Sequence, residues 1–304
     1  MFSNFVSCFF MLLFSLIGVA FLTLLERKIL GYIQIRKGPN KVGLLGLFQP
    51  FSDAVKLYTK EIMFPLKSNF YPYWVSPIVT LSISLMVWLC YPYFFIVLSW
   101  KFSILFMFSI LSMGVYGIMI SGWFSNSCYS ILGCMRVIAQ SISYEVSFFL
   151  LILCSIYLIN SMNLYYFFVY QKIIWFVVLM FPVFLMLFVS FLAELNRTPF
   201  DFSEGESELV SGFNVEYGGS GFSFIFLGEY LSILFASMLL SMMFLGGDML
   251  YLSFFVKLMI LSSIIIIIRG TLPRYRYDKL MNLCWKIYLC SSMCLMMFYV
   301  SVLC

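Results

Sequence analysis

Residues 221–246 read GFSFIFLGEYLSILFASMLLSMMFLG, an apolar run interrupted by one charge, Glu229, about two turns inside it. A bilayer core of about 30 Å is spanned by about 20 residues at the α-helical rise, and this run exceeds that length. A soluble surface helix would keep one polar face. Here every turn is apolar all round, so the surroundings are lipid or other apolar helices. The rest of the chain agrees: 63% of its residues are hydrophobic and 10% are charged, which is more apolar surface than a water-soluble domain can bury.

Scanning outward gives eight such runs, at about 3–25, 73–98, 102–124, 137–160, 172–193, 221–246, 249–269 and 281–303. The fold class is therefore an all-α integral membrane protein of eight transmembrane helices, read as a single polytopic membrane domain over 1–304. Pro92 and a short polar break make the second and third runs a tight helical hairpin. The first run has no basic n-region or small-residue cleavage site and meets Glu26, Arg27 and Lys28 at once, so it reads as a spanning helix and not a signal peptide. No transit peptide is expected either.

Two absences restrict the chemistry. The chain has no histidine, which removes His-ligated haem, His-based zinc and Ser/His or Cys/His dyads. Its nine cysteines never form C-x-x-C and lie mostly inside apolar runs, so packed free thiols are expected and no metal site.

Loops after odd-numbered runs hold Arg27, Lys28, Arg36, Lys37, Lys41, Lys56, Lys60, Lys67, Arg136, Arg197, Arg269, Arg274, Arg276, Lys279 and Lys286, whereas the others hold only Lys101 and Lys172. The positive-inside rule places the odd loops on the matrix or cytoplasmic side. Two of those loops are more than connectors. The first, from Glu26 to about Pro72, carries LFQPFSDAVKLYTKE, where Leu47, Phe51, Ala54, Val55 and Tyr58 recur at helical spacing and Asp53, Lys56 and Lys60 sit at the polar edges. That is an amphipathic helix lying at the interface. The second, from Glu194 to about Gly221, gathers Glu194, Asp201, Glu204, Glu206, Glu208 and Glu216 around Arg197. Phe200, Phe202, Leu209, Val210 and Phe213 interleave the acids, so this long acidic loop packs and its carboxylates share protons.

Charges inside the hydrocarbon cost a few kcal/mol or more and mark pathways or functional sites. Glu145 in the fourth run, Glu229 in the sixth and Lys257 midway along the seventh qualify. Glu145 and Glu229 are expected at similar depths, as a proton path would need. The alternative reading makes each a paired anchor between helices, with Lys257 or Arg136 as counter-ion.

The stretches LLERKILGYIQIRKGPNKVG, FQPFSDAVKLYTKE, RVIAQSISYEVS, LAELNRTPFDFSEGESELVSGFNVEY, LGEY and PRYRYDKLMNLCWK resemble signature segments of the subunit 1 family of mitochondrial NADH:ubiquinone oxidoreductase, respiratory complex I, along essentially the whole chain. The resemblance implies a mitochondrial inner-membrane core subunit that joins a hydrophilic arm to a proton-pumping arm and supplies much of a ubiquinone tunnel. Its partners would be the quinone-site subunits of the hydrophilic arm, the neighbouring small membrane subunits and the lipid bilayer, with no nucleic acid. Ubiquinone would be the substrate, while NADH, FMN and iron–sulfur clusters belong to partner subunits only.

Carried over by residue, Arg27, Arg36 and Asp53 resemble residues near the tunnel mouth, and Phe222 its wall. Glu194, Arg197, Asp201, Glu204, Glu206 and Glu216 resemble the acidic loop beside the quinone cavity. Tyr144, Glu145 and Glu229 resemble the polar path toward the pumping subunits, with Arg136 as a gate at its matrix end. Relatives often carry histidine where this chain has Asn282, so a donor histidine would belong to a neighbour. Two other readings fit buried acids beside a buried lysine: an ion-coupled secondary transporter, and the homologous membrane subunit of a hydrogenase or related quinone oxidoreductase.

Overall fold

The computed structural model of the chain describes residues 2–92, 100–203, 205, 209–249 and 251–303. In hydrocarbon each backbone N–H and C=O must be satisfied within its own segment, and the chain meets that demand with helices. They are α1 (Phe2–Ile33), α2 (Gln49–Thr59), α3 (Phe70–Val87, continued by a 3-10 turn Trp88–Cys90), α4 (Ser103–Phe124), α5 (Cys128–Ile159), α6 (Leu164–Tyr170) and α7 (Phe176–Leu179). They continue with α8 (Phe181–Glu194), α9 (Gly219–Phe244), α10 (Leu252–Thr271) and α11 (Tyr277–Asn282), which runs through a π-helical stretch Leu283–Tyr288 into α12 (Leu289–Leu303).

Among the described residues, seven helical stretches are long and apolar enough to cross a membrane, and α8 is a shorter apolar helix of 14 residues. The fifth run, expected as one helix over 172–193, is broken. Pro182 in the first turn of α8 lacks an N–H and its ring would collide with the carbonyl four residues back, so α7 stops and Met180 leaves the helical region at φ −127°, ψ 40°. Two boundaries also move. Helix α5 begins at Cys128, ahead of the expected 137, and takes Arg136 into the helix. Helix α1 runs on to Ile33, so Glu26, Arg27 and Lys28 lie on it and not in a loop.

Beyond α1 the chain doubles back on itself. Ile35 takes φ 57°, the Arg36 amide donates to the Gly31 carbonyl at 2.8 Å, and a Cβ at Gly31 would stand 3.0 Å from the Gly38 nitrogen. Helix α2 then lies across α1 and α9, with Phe51 against Phe21 (ring centroids 6.3 Å apart) and Tyr58 against Phe224 (6.1 Å). Pro50 in the first turn of α2 sets its start, so Leu47 falls outside the helix. The second and third runs pack side by side as α3 and α4, but the helical part of the second run ends at Cys90 and α4 opens only at Ser103, so the connection is longer than the tight hairpin expected; residues 93–98 of that run lie outside the described residues.

Helix α9 is the centre of the bundle. It packs against α1, α3, α8 and α10, and from Tyr230 to Phe244 nearly every side chain is buried. That burial explains the all-round apolar run, because no face of α9 looks to water. The approach of α3 is close at Gly228, where a Cβ would stand 3.5 Å from Ser84 Oγ and 3.6 Å from the Thr80 carbonyl oxygen.

Candidate functional site

A cavity of about 170 Å³ opens between α3, α4, α5, α8 and α9, and most of its wall is apolar, including Val87, Phe108, Val137, Phe148 and Phe235. Its polar lining includes Glu145 and Tyr144 from α5, Glu194 from the end of α8, Glu229 and Ser232 from α9, and Asn196 and Ser203 from the acidic loop. Three carboxylates from three helices thus converge on one space large enough for several waters.

Their partners differ. Glu229 Oε2 receives Arg197 Nη2 at 3.4 Å. Glu145 and Glu194 have no hydrogen-bond or ion-pair partner among the described residues and lie close enough to feel each other's charge. Neither Lys257 nor Arg136 lines the cavity. The Tyr144 hydroxyl, on a side chain 1% exposed, finds no partner among the described residues, and neither does Asn196 Oδ1. Buried polar atoms of that kind ordinarily pair with water.

Arg197 connects the cavity to a second cluster. Its guanidinium carbon lies 4.7 Å from the centre of the Tyr230 ring. The Tyr230 hydroxyl donates to Glu26 Oε2, and Arg269 Nη1 donates to Glu26 Oε1. Glu26 is 6% exposed and its neighbour Arg27 points the other way, pairing with Asp53 of α2 at 2.5 Å. The sequence reading had assigned Glu26, Tyr230 and Arg269 no role. A signal for Glu26 was present, because Ser15, Val19, Leu22 and Glu26 follow the 4-3-4 spacing of one helix face, and all four are buried.

The acidic loop is docked at both ends. Near its start, Arg274 Nη2 pairs with Asp201 Oδ2 at 3.2 Å and the Tyr275 amide donates to the Pro199 carbonyl at 2.9 Å. Near its end, Tyr217 stacks on Tyr73 with centroids 4.4 Å apart, shares a 2.8 Å hydrogen bond with Ser76 Oγ, and Tyr73 Oη donates to the Glu216 carbonyl at 2.6 Å. Desolvation pushes the Tyr217 hydroxyl up to about 12, partly offset by the Ser76 hydrogen bond. The Glu216 side chain is half-buried beside this pair. Glu204 and Glu206, together with Glu208, lie outside the described residues.

The remaining sequence candidates are spread apart. Arg136 is half-buried on α5. Arg36 lies on the surface, its Nε donating to Gln34 Oε1 at 2.9 Å. Phe222 stacks on Phe226 (5.8 Å), which meets the Tyr230 ring at 4.4 Å, and so borders the Glu26 cluster. Lys257 is placed early in α10, where its Nζ donates to the Leu245 and Gly246 carbonyls at 2.6 and 3.2 Å and lies 4.4 Å from the Trp175 ring centre. Gln171 serves the same helix end, donating to the Met242 and Met243 carbonyls and accepting from the Gly246 amide. Those groups cap the carbonyls left open at the end of α9.

Residues 6–300 match the family model described as NADH dehydrogenase. The chain is 58% identical to "NADH-ubiquinone oxidoreductase chain 1" of Aedes aegypti over 94% of its own length and 92% of the relative's. It is 56% identical to the protein of that name from Anopheles gambiae (94% and 91% covered) and 47% identical to that from Mytilus edulis (90% and 90%). Apolar helices built to cross a membrane, a cavity lined by carboxylates and a match over almost the whole length make one conclusion: this chain belongs to the NADH-ubiquinone oxidoreductase chain 1 family, the membrane subunit 1 family of complex I.

Proposed function

We propose that this chain lines the ubiquinone tunnel of the complex and couples quinone reduction to proton translocation through Glu229, Glu194 and Glu145. The observation that carries the reading is the convergence of those carboxylates and the Tyr144 hydroxyl on one cavity, with Glu229 held by Arg197 of the acidic loop. Reducing a quinone to a quinol takes up two protons with two electrons, so the reaction creates a proton demand beside the loop. A loop whose acids share protons answers such a demand by redistributing charge, and Arg197 transmits the change to Glu229. Glu194 and Glu145, with no ion-pair partner among the described residues, then pass protons across the cavity.

The electrons come from an iron–sulfur cluster in a partner subunit, fed by NADH and FMN, since this chain offers no histidine and no paired cysteines for a redox metal. The quinone tail follows an apolar route by Phe222, with Arg27, Asp53 and Arg36 at its mouth and the loop acids Asp201, Glu204, Glu206 and Glu216 beside the headgroup. The basic loops face the matrix of the mitochondrial inner membrane, where the quinone-site subunits of the hydrophilic arm dock, and the small membrane subunits neighbour the Glu145 side.

The test is made on the assembled complex in proteoliposomes, with Glu145→Gln, Glu194→Gln and Glu229→Gln each assayed for quinone reduction and for protons moved per quinone. The expected result is intact assembly with a loss of proton translocation in each variant. Unchanged translocation in all three would overturn the reading.

A further inference from the structure

A guanidinium carries five donors in a rigid plane, and Arg197 places Nη2 3.4 Å from Glu229 Oε2. The same guanidinium lies over the face of Tyr230, its carbon 4.7 Å from the ring centre. Glu229 and Tyr230 are consecutive on α9 and project about 100° apart, so Arg197 wraps the helix and touches both.

The Tyr230 ring is itself held from behind. Its side chain is 3% exposed, Phe226 packs on it with centroids 4.4 Å apart, and its hydroxyl is bound by Glu26 of α1. Glu26 is fixed in turn by Arg269 of α10. The line from Arg269 through Glu26, Tyr230 and Arg197 to Glu229 therefore crosses α10, α1, α9 and the acidic loop. Each of the two arginines along it meets a carboxylate, Arg269 with Glu26 and Arg197 with Glu229.

We propose that Tyr230 is a positioning residue whose ring, oriented by Glu26, sets Arg197 on Glu229. The proposal rests on the reading of Glu229 as a proton carrier and deepens it by naming what holds the carrier's counter-ion. Packing alone would be served by any large apolar side chain at position 230. The arrangement instead uses the π-face toward Arg197 and the hydroxyl toward Glu26, two functions that only tyrosine combines here.

The experiment is a double-mutant comparison in the assembled, membrane-reconstituted complex, reading protons translocated per quinone reduced and coupled turnover. Tyr230→Leu, Tyr230→Phe and Glu26→Gln are each made in the native background and in a Glu229→Gln background. In the native background Tyr230→Leu lowers coupled turnover by about tenfold, the scale of a misplaced functional group. Tyr230→Phe and Glu26→Gln, which keep the ring and loosen its orientation, fall between Tyr230→Leu and the native protein. In the Glu229→Gln background none of the three lowers it further. Equal losses in both backgrounds would make Tyr230 a packing residue and overturn the proposal, as would native coupling in Tyr230→Leu. A silent Glu229→Gln beside a damaging Tyr230→Leu would remove both the carrier reading and the positioning role, whereas a damaging Glu229→Gln with additive Tyr230 variants removes the positioning role alone. Should Tyr230→Leu fail to assemble, Tyr230→Phe and Glu26→Gln carry the same comparison.

Discussion

Replacing Tyr144 with phenylalanine separates the fold from the function at a single oxygen. The ring sits among Phe200 (6.3 Å) and Tyr288 (6.1 Å), contacts that phenylalanine keeps, while the hydroxyl has no hydrogen-bond partner among the described residues. Removing a buried hydroxyl without such a partner shifts stability by less than about 1 kcal/mol, and the change can be favourable. The consequence for proton movement is larger. A positioned proton-transfer group is worth about 10²- to 10⁴-fold in rate, and even the lower end corresponds to about 2.7 kcal/mol of barrier. The complex carrying Tyr144→Phe should assemble in native amount and resist heat as before, yet move protons at a small fraction of the native rate. The assay pairs thermal inactivation with proton uptake in proteoliposomes during NADH-driven quinone reduction. Native proton uptake in the variant would refute the reasoning, and so would a loss of assembly, because it would show that the hydroxyl bears structural weight.

Two further expectations concern stability. Gln171→Leu strips α9 of two donors to its terminal carbonyls and one acceptor for the Gly246 amide, at 3.0, 2.8 and 2.7 Å; at about 1 kcal/mol or more per orphaned buried group, the loss is about 3 kcal/mol, and faster thermal inactivation of the complex checks it. For Tyr217, the folded hydroxyl titrates at about 12 against an ordinary 10, so the neutral form is favoured by folding. That contribution is fully present below pH 10 and is lost as pH rises toward 12, so the acidic loop should undock over that window, followed by tyrosinate absorbance, with Tyr217→Phe abolishing the component.

The membrane class was legible because it rests on length and composition, which the environment enforces residue by residue. Helix α2 was legible because Phe51 and Tyr58 recur on one face and pack there, against Phe21 and Phe224. The break before α8 was missed although Pro182 was in plain view, because hydropathy does not register backbone donors, and the apolar run continues across the interruption. At the site, Glu145 and Glu229 stand out as charges inside apolar runs, Glu194 as the first acid of the loop and Tyr144 only through the family resemblance, and the structure sets all four on one cavity wall. Glu26 escaped notice because it adjoins Arg27 and Lys28 and so resembled the start of a solvated loop. Only the phase with Ser15, Val19 and Leu22 separates it from them. Partners such as Arg274 for Asp201 or Arg197 for Glu229 follow from tertiary approach, which no local pattern encodes.

The two ends of α9 are built on opposite rules, and the difference bears on how a signal travels. At the C-terminal end, Lys257 and Gln171 saturate the open carbonyls, and the lysine charge also suits the negative end of the helix dipole. Those bonds tie the carbonyls at this end to side chains of two neighbouring segments, so the end is pinned. Toward the N-terminal end, Glu229 shares Arg197 with a tyrosine ring, and Arg197 belongs to a loop one of whose acids, Asp201, is tied to Arg274. A helix capped by side chains at one end resists sliding along its axis more than a side chain resists turning. A change in the loop should therefore appear first as a reorientation of Arg197 between Glu229 and Tyr230. Coupling in this subunit is then a matter of side chains moving on a rigid post, and variants that loosen the Gln171 and Lys257 cap should cost stability before they cost proton yield.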